Sequence, residues 1–510
     1  MSDTQTKEFS KLRTIFWPIH SYELKKFLPF SFLMFFMLFV YTLIRDLKDV
    51  LLQSKANMWI GAASTDTAML ISTIKTYYVL PCAFFAVVFF SWLLDKFGSR
   101  KSFYIMITIF LSFFALFGFV LYPNLEVIKW SPEYITKITG SLVMPLKLFL
   151  TCIGNWPITL FYVMAEIWGA MAIATLFWQF ANEVTKKTET KRFYASFSMI
   201  ANIGVIIAGI IIGKVVGKDA SISTIMFVMM GVVASCLITM AIYTYINKVI
   251  LTDPRFYDPS MVKAKKKKEK VGALEGIKIL FTNKYMLFIA ILVLAYGITI
   301  NLAECIMKSQ MKALTGGSPE ELAKLHGYIS IMVGIFTIVF AIVANNVMRL
   351  FSWKVAALIT PVAMLLVGIA FFTLSYLNRS GMTTIFGIST LFLAVWFGMI
   401  QDAFSKSIKY CLFDVTKNMA YIPLDEEVRT KGQAAVEVIG ARAGKTGGSL
   451  IQQAAFVFQP SMMANLVPFV LISFGIFIAW IFSVTKLSPL YEKAVADRER
   501  EDAATTAQGV

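Results

Sequence analysis

The sequence predicts an all-α polytopic membrane protein in which twelve transmembrane helices form two six-helix bundles. Three observations lead there. Of 510 residues, 57% are hydrophobic, 15% aromatic and only 15% charged, whereas a soluble globular chain carries about 25% charge. Apolar runs of about 20 residues, enough to cross about 30 Å of hydrocarbon, recur from end to end. Short sequence matches also repeat in the same order in the two halves, as in membrane proteins built from duplicated bundles.

Residues 1–26 are polar and mixed in charge, with neither a secretory signal nor a long acid-poor transit segment, and read as a cytoplasmic N-terminal segment. Spans are expected at 27–46, 71–94, 103–122, 156–181, 195–216 and 222–246, making a first bundle over 27–246. A basic linker follows at 247–284. The second bundle, 285–485, holds spans at 285–303, 326–348, 355–377, 383–411, 432–458 and 464–485, and 486–510 is a cytoplasmic tail. The gap between bundles, roughly 40 residues, is too short for a soluble catalytic domain, so function must reside among the spans.

With both termini cytoplasmic, about 33 of the 48 basic residues fall on the cytoplasmic side, as the positive-inside rule requires. The net charge of +17 therefore belongs to topology, not to nucleic-acid binding. Its densest block, Lys263, Lys265 to Lys268 and Lys270, lies in the linker. Cys82, Cys152, Cys236, Cys305 and Cys411 stand singly, and His20 and His326 are isolated, so no metal or disulfide framework is expected and no cofactor is implied.

The repeat has three members. DKFGSRK from Asp95 matches MRLFSWK from Met348, placing Lys96, Ser99 and Lys101 opposite Arg349, Ser352 and Lys354. EVTK from Glu183 matches DVTK from Asp414, and Tyr41–Ser54 aligns with Tyr296–Ser309, setting Asp49 opposite Glu304. Six plus six spans, with a short basic turn between the second and third of each half, is the pattern of the major facilitator architecture, whose central cavity lies near the midplane.

Ionisable residues inside a membrane are costly and by default mark a substrate path or a pairing site. Here they are Arg45, Asp46, Lys48 and Asp49 at the end of span 1, Lys75 in span 2, Glu166 in span 4, Glu304 closing span 7, and Asp402 with Lys406 in span 10. Asp402 and Lys406 have the spacing of an intrahelical pair. Lys75 has two readings, a snorkelling or pairing residue and a functional one. The densest cationic stretch is KGQAAVEVIGARAGKTGG, Lys431 to Gly448. As a helix it aligns Lys431, Ala435, Val438, Arg442, Lys445 and Ser449 on one stripe, with cations about 20 Å apart at its ends. GARAGKT resembles a phosphate loop, but Gly440 leaves only three residues before Gly444 and no strand precedes it, so the match fails. Cations on a smooth small-residue helix suit a polyanion; Arg45, Lys48, Lys431, Arg442 and Lys445 are the candidate phosphate contacts, and Asp49, Glu166 and Glu304 the candidate coupling carboxylates. Trp168, Trp178 and Tyr41 are nearby aromatics on which a base could stack.

These residues also carry a resemblance. WPIHSYELKKFLP from Trp17, LIRDLKD up to Asp49, AEIWGAM with LFWQFANEVTK, KRFYASF from Lys191, INKVILTDPRFYDP from Ile246, AYGITINLAE from Ala295, and the long run from Lys409 to Gly448 together resemble the ATP/ADP translocase family of plastids and obligate intracellular bacteria. The resemblance implies that Lys48, Glu166, Glu304 and Lys431 are needed for transport; Arg442 and Lys445 as phosphate contacts come from the residues alone. Two departures, Met307 where a tryptophan is usual and Leu47 where a threonine is commoner, leave open which branch applies: ATP/ADP exchanger, broad ribonucleotide carrier or proton-coupled importer. The expectation is a non-enzymatic exchanger of external ATP for internal ADP, with phosphate and other ribonucleotides as further candidate cargo. It is expected to act as a monomer in a bacterial inner membrane. The rivals are proton-coupled import at Glu166 or Glu304, a membrane nucleotide hydrolase, and a structural membrane protein.

Overall fold

The computed structural model describes residues 19–54, 67–185, 187–253, 255–256, 279, 282–425, 428, 432–433, 436 and 441–508. Within them the chain is almost wholly helical. Helix α1 is Leu24–Gln53. The apolar stretch Ala68–Leu121 is broken at Gly98, whose φ of 72° and ψ of 170° lie outside the helical region and suit only a residue without Cβ; it is therefore two helices, α2 over 68–97 and α3 over 99–121. Three short helices follow, α4 (Leu125–Ile128), α5 (Pro132–Thr139) and α6 (Met144–Gly154). Then come α7 (Trp156–Asn182), α8 (Ser196–Val216) and α9 (Ile222–Ile250). The second half holds α10 (Lys284–Thr315), α11 (Pro319–Leu350), α12 (Trp353–Arg379), α13 (Thr390–Ile408), α14 (Ala441–Phe458) and α15 (Leu466–Gln508).

Nine of the described helical stretches are long and apolar enough to cross a membrane. The helices begin where the sequence supplies a cap. The Asn283 side chain accepts the Tyr285 and Met286 amides at the start of α10, and Ser318 accepts the Glu321 amide before Pro319 opens α11. Gly316, in the left-handed region at φ 62°, ends α10.

Several expected boundaries move. The span expected at 285–303 continues twelve residues to Thr315, so Glu304 lies inside α10 and does not close it. The polar run Lys308-Ser309-Gln310 beyond the expected end is buried, with Lys308 paired to Asp49 of the first half and Gln310 accepting from Ser375 of α12. The span expected from 383 starts at Thr390, because Thr384–Ile385 and Ile388–Ser389 pair as a two-stranded hairpin turned by Phe386 and Gly387 at positive φ. Of the helix expected over 432–458, only Ala441–Phe458 is described as continuous helix; Lys431 and Glu437 lie outside the described residues. The last helix runs on through the expected tail to Gln508. Helices α4 to α6 had no counterpart in the sequence reading.

The apolar core is divided unevenly. One cluster runs through the first half of the chain and takes in Leu302, Cys305, Ile306 and Met311 of α10, Leu322, Leu325 and Ile329 of α11, and Phe456 of α14. A second contains Met286, Ile289, Val293 and Tyr296 of α10, with Trp353, Phe413 and Trp480. The boundary falls within α10, after Ile300. The halves are thus fused by a common core at the end where α1 stops and α11 starts, whereas toward the opposite end the second half packs as a core of its own.

Small residues make that fusion close. A Cβ on Gly327 of α11 would stand 2.6 Å from the Gly209 carbonyl oxygen and 2.7 Å from the Gly213 Cα of α8. Within the second half α10 and α14 meet the same way: a Cβ on Gly297 would lie 2.8 Å from Gly444 Cα. Overpacking of a core costs about 1–3 kcal/mol, and here the obstacle is backbone. Gly297→Val is therefore expected to lower the thermal midpoint of the detergent-purified protein by several degrees, whereas Gly231→Val, where a Cβ meets nothing within 4 Å, should leave it unchanged. Equal midpoints for the two variants contradict the packing described.

Candidate functional site, a buried ionic network between the halves

The last three turns of α1 carry Arg45, Asp46, Lys48, Asp49 and Gln53. Asp46, Asp49 and Gln53, at i, i+3 and i+7, share a face, and that face meets the second half. The Arg45 guanidinium contacts Asp46 at 3.0 Å and donates to Ser330 Oγ of α11 at 2.6 Å. Ser330 in turn donates to Asp46. Gln53 Nε2 lies 3.2 Å from the His326 ring nitrogen.

One turn nearer the centre, Lys48 Nζ sits 3.1 Å from both Asp49 and Glu166 of α7. It also lies 3.8 Å over the Tyr162 ring, an arrangement that replaces water with a carboxylate pair and a π face. Lys308 of α10 then bridges Asp49 at 2.8 Å and Glu304 at 3.0 Å. Glu304 is the hub. Besides Lys308 it receives Lys75 of α2 at 3.2 Å and Lys406 of α13 at 3.4 Å. Lys406 also holds Asp402 at 2.8 Å, so the expected intrahelical pair is present and Lys406 is shared. Lys75 proves to be a pairing residue.

The described network contains five cations, Arg45, Lys48, Lys75, Lys308 and Lys406, and five carboxylates, Asp46, Asp49, Glu166, Glu304 and Asp402. Removing one member of a buried pair costs about 3–5 kcal/mol, because the survivor stays desolvated and unpaired. Balance is the condition on which these groups can be buried at all. The repeat also takes on physical meaning: Asp49 and Glu304, aligned in sequence, hold the same lysine.

The structure brings together Arg45, Lys48, Asp49, Glu166 and Glu304 of the expected site. Lys445, on α14, is exposed. Arg442 lies in the first turn of α14, its side chain outside the described residues, as is Lys431 altogether. The sequence reading missed Lys308, whose clue was its i+4 spacing from Glu304. It also missed the amide and hydroxyl ties beside the network: Gln453 Nε2 of α14 donates to Ser72 at 2.7 Å and Thr73 at 2.9 Å, and Gln452 Nε2 donates to Asn301 Oδ1 at 3.0 Å.

Three of the six wide helical turns among the described residues lie beside the charges, and the others, Phe117–Leu121, Ile212–Val216 and Ile246–Ile250, lie away from the network. Wide i→i+5 turns occupy Ile74–Val79, which includes Lys75, Gly169–Phe177, three residues after Glu166, and Lys409–Phe413, three residues after Lys406. Such turns rotate the following side chains out of regular register and are frequent at functional sites. At the second of these the Tyr41 ring packs against Gly169, where a Cβ would stand 2.6 Å from Tyr41 Cε2.

What this arrangement can do is hold two sets of helices together through charge and release them if another charged species takes the place of one partner. Among solved structures the chain is similar to a D-xylose-proton symporter, with a TM-score of 0.54 and 14% identity over 92% of this chain and 97% of that one. It is also similar to a nucleoside transporter variant, with a TM-score of 0.52 and 13% identity over 90% and 99%. At such identities these likenesses speak to the fold alone. Sequence relatives are nearer. An ADP,ATP carrier protein 1 of Rickettsia bellii is 42% identical over 98% of this chain and 100% of its own length, and one of Chlamydia muridarum is 40% identical over 99% and 96%. The family model for the TLC ATP/ADP transporter matches residues 2–491, and the chain belongs to that family.

Proposed function

We propose that this protein exchanges external ATP for internal ADP across a bacterial inner membrane and leaves the nucleotide chemically unchanged. The observation that carries the mechanism is the balanced ionic network that seals the halves at one end, while toward the other end the second half packs apart. In this reading the chain forms twelve spans, six in 27–246 and six in 285–485, joined by the basic linker 247–284. The Ala68–Leu121 stretch supplies two of the spans, and α13 and α14, too charged to score as apolar, supply the tenth and eleventh. Loop charge puts both termini in the cytoplasm, so the sealed face is external and the conformation inward-open, one of the two states alternating access requires. Arg442 and Lys445 on α14, with Lys431, Lys48 and Arg45, are the phosphate contacts. Glu166, Glu304 and Asp49 are the coupling carboxylates, and the unit of function is the monomer. Support comes from the relatives, which are named as ADP,ATP carriers, and from the exposure of Lys445 on α14.

The test is uptake of labelled ATP into liposomes containing the purified protein. Uptake into ADP-loaded vesicles, absent from empty ones and indifferent to an uncoupler, is the expected result. Uptake into empty vesicles that collapses with the proton gradient would make the protein a proton-coupled importer instead, and phosphate efflux measured in parallel decides whether phosphate is also cargo.

A further inference from the structure

Lys308 belongs to no substrate contact assigned above, yet it is the most central cation of the seal. Its side chain is 2% exposed. It joins Asp49 of the first half to Glu304 of the second, and Glu304 is itself tied across the halves to Lys75. Opening this face means pulling Asp49 from Lys308 and Lys75 from Glu304. In the unloaded protein the second separation strands Lys75, whose described ion partner is Glu304, and the first breaks a contact between two buried charges, with Cys305, Ile306 and Met307 of α10 packed alongside fully buried. A bound polyphosphate changes that condition: its oxygens can take over the Lys75 that Glu304 releases, through charge-assisted hydrogen bonds at least as strong, while Lys308 stays with Glu304.

From this geometry we propose that Lys308 is a positioning residue that makes transport an obligatory exchange: its bridge between Asp49 and Glu304 keeps the unloaded carrier from opening to the other side. This rests on the reading of the protein as a nucleotide carrier and adds to it the residue that forbids the empty return.

The structure allows a clean perturbation. In Lys308→Gln, Asp49 keeps Lys48, and Glu304 keeps Lys75 and Lys406. No carboxylate is orphaned, and the seal loses the Asp49–Lys308 link while Lys75–Glu304 still joins the halves. Native Cys305, buried in the seal beside Glu304, reports opening. With Cys82, Cys152, Cys236 and Cys411 replaced by serine, alkylation of Cys305 by a small charged thiol reagent is followed in detergent without nucleotide. Transport is measured in liposomes as labelled ATP uptake with and without internal ADP. Weakening a two-state lock by about 1.4 kcal/mol moves the populations tenfold, so Cys305 labelling and uptake into empty vesicles are each expected to rise roughly tenfold in Lys308→Gln. Exchange into loaded vesicles should persist.

Labelling at the parent rate overturns the proposal, as does faster labelling with empty-vesicle uptake unchanged, and as does loss of both transport modes, because the loaded pathway must survive. If the parent protein itself moves no nucleotide, the carrier reading fails and the Lys308 inference fails with it. A working parent with an unaltered variant sinks this inference alone.

Discussion

Lys48→Ala is expected to reduce nucleotide exchange by about two orders of magnitude while the protein still inserts and purifies as a monodisperse species. The lysine is 3% exposed and is the ion partner of Glu166 and one of two for Asp49. Its loss leaves Glu166 without a described ion-pair partner and a vacancy over the Tyr162 ring, whose hydroxyl already lacks a hydrogen bond. Breaking a buried pair costs about 3 kcal/mol or more, and if that cost is borne by the state that must form during transport it lowers the rate by a factor of roughly 100. The comparison that isolates charge from shape is Lys48→Met, which keeps the length and the contact with Tyr162. Exchange measured in loaded liposomes should fall equally in both variants. Recovery in Lys48→Met would mean that the side chain packs and its charge is dispensable, and normal exchange in Lys48→Ala would remove this lysine from the mechanism altogether.

The sequence carried the large features because hydrophobic length is a local property. Runs such as Phe27 to Ile44 have one physical explanation, and the Asp402–Lys406 spacing has one geometric consequence on a helix. Lys308 was illegible for the opposite reason. Its burial depends on Asp49, 259 residues away, and a lysine followed by serine and glutamine reads as a helix end until the partner is in place. The same holds for Gln453, which looks like an ordinary polar residue of α14 and in fact donates to two hydroxyls in the other half. The wide turns beside Lys75, Glu166 and Lys406 have no compositional signature, since the backbone adopts them in response to packing. The repeat was the one long-range signal available, and it did set Asp49 against Glu304; that both acids share one lysine needed the fold. The cationic stripe was argued from residues 431–449, most of whose early part lies outside the described residues, so Lys431 rests on pattern and resemblance and Arg442 on pattern alone, while Lys445 has a described position.

The close approach of α8 and α11 leads to the second large effect. Gly327→Val is expected to abolish exchange by a route unlike that of Lys48→Ala: the binding residues stay intact and the sealed face no longer closes. In the sealed conformation a Cβ at Gly327 would stand 2.6 Å from the Gly209 oxygen and 2.8 Å from the Gly213 nitrogen, and backbone cannot step aside as a side chain can. Overpacking of this kind costs up to about 3 kcal/mol, and only the conformation that brings α8 and α11 together bears it. A cost confined to one of two states shifts their ratio by roughly 100-fold, which traps the carrier with this face open. Spin labels at Lys218 and Glu321, exposed residues at the sealed end, should therefore report a longer distance in Gly327→Val than in the parent. Gly231→Val, with open space around its Cβ, should keep the parent distance and the parent transport rate. A parent-like distance in Gly327→Val would mean that the glycines merely permit packing and that the seal is set by the ionic network alone; a longer distance with lost exchange means that charge and close backbone contact both have to be satisfied before the external face shuts.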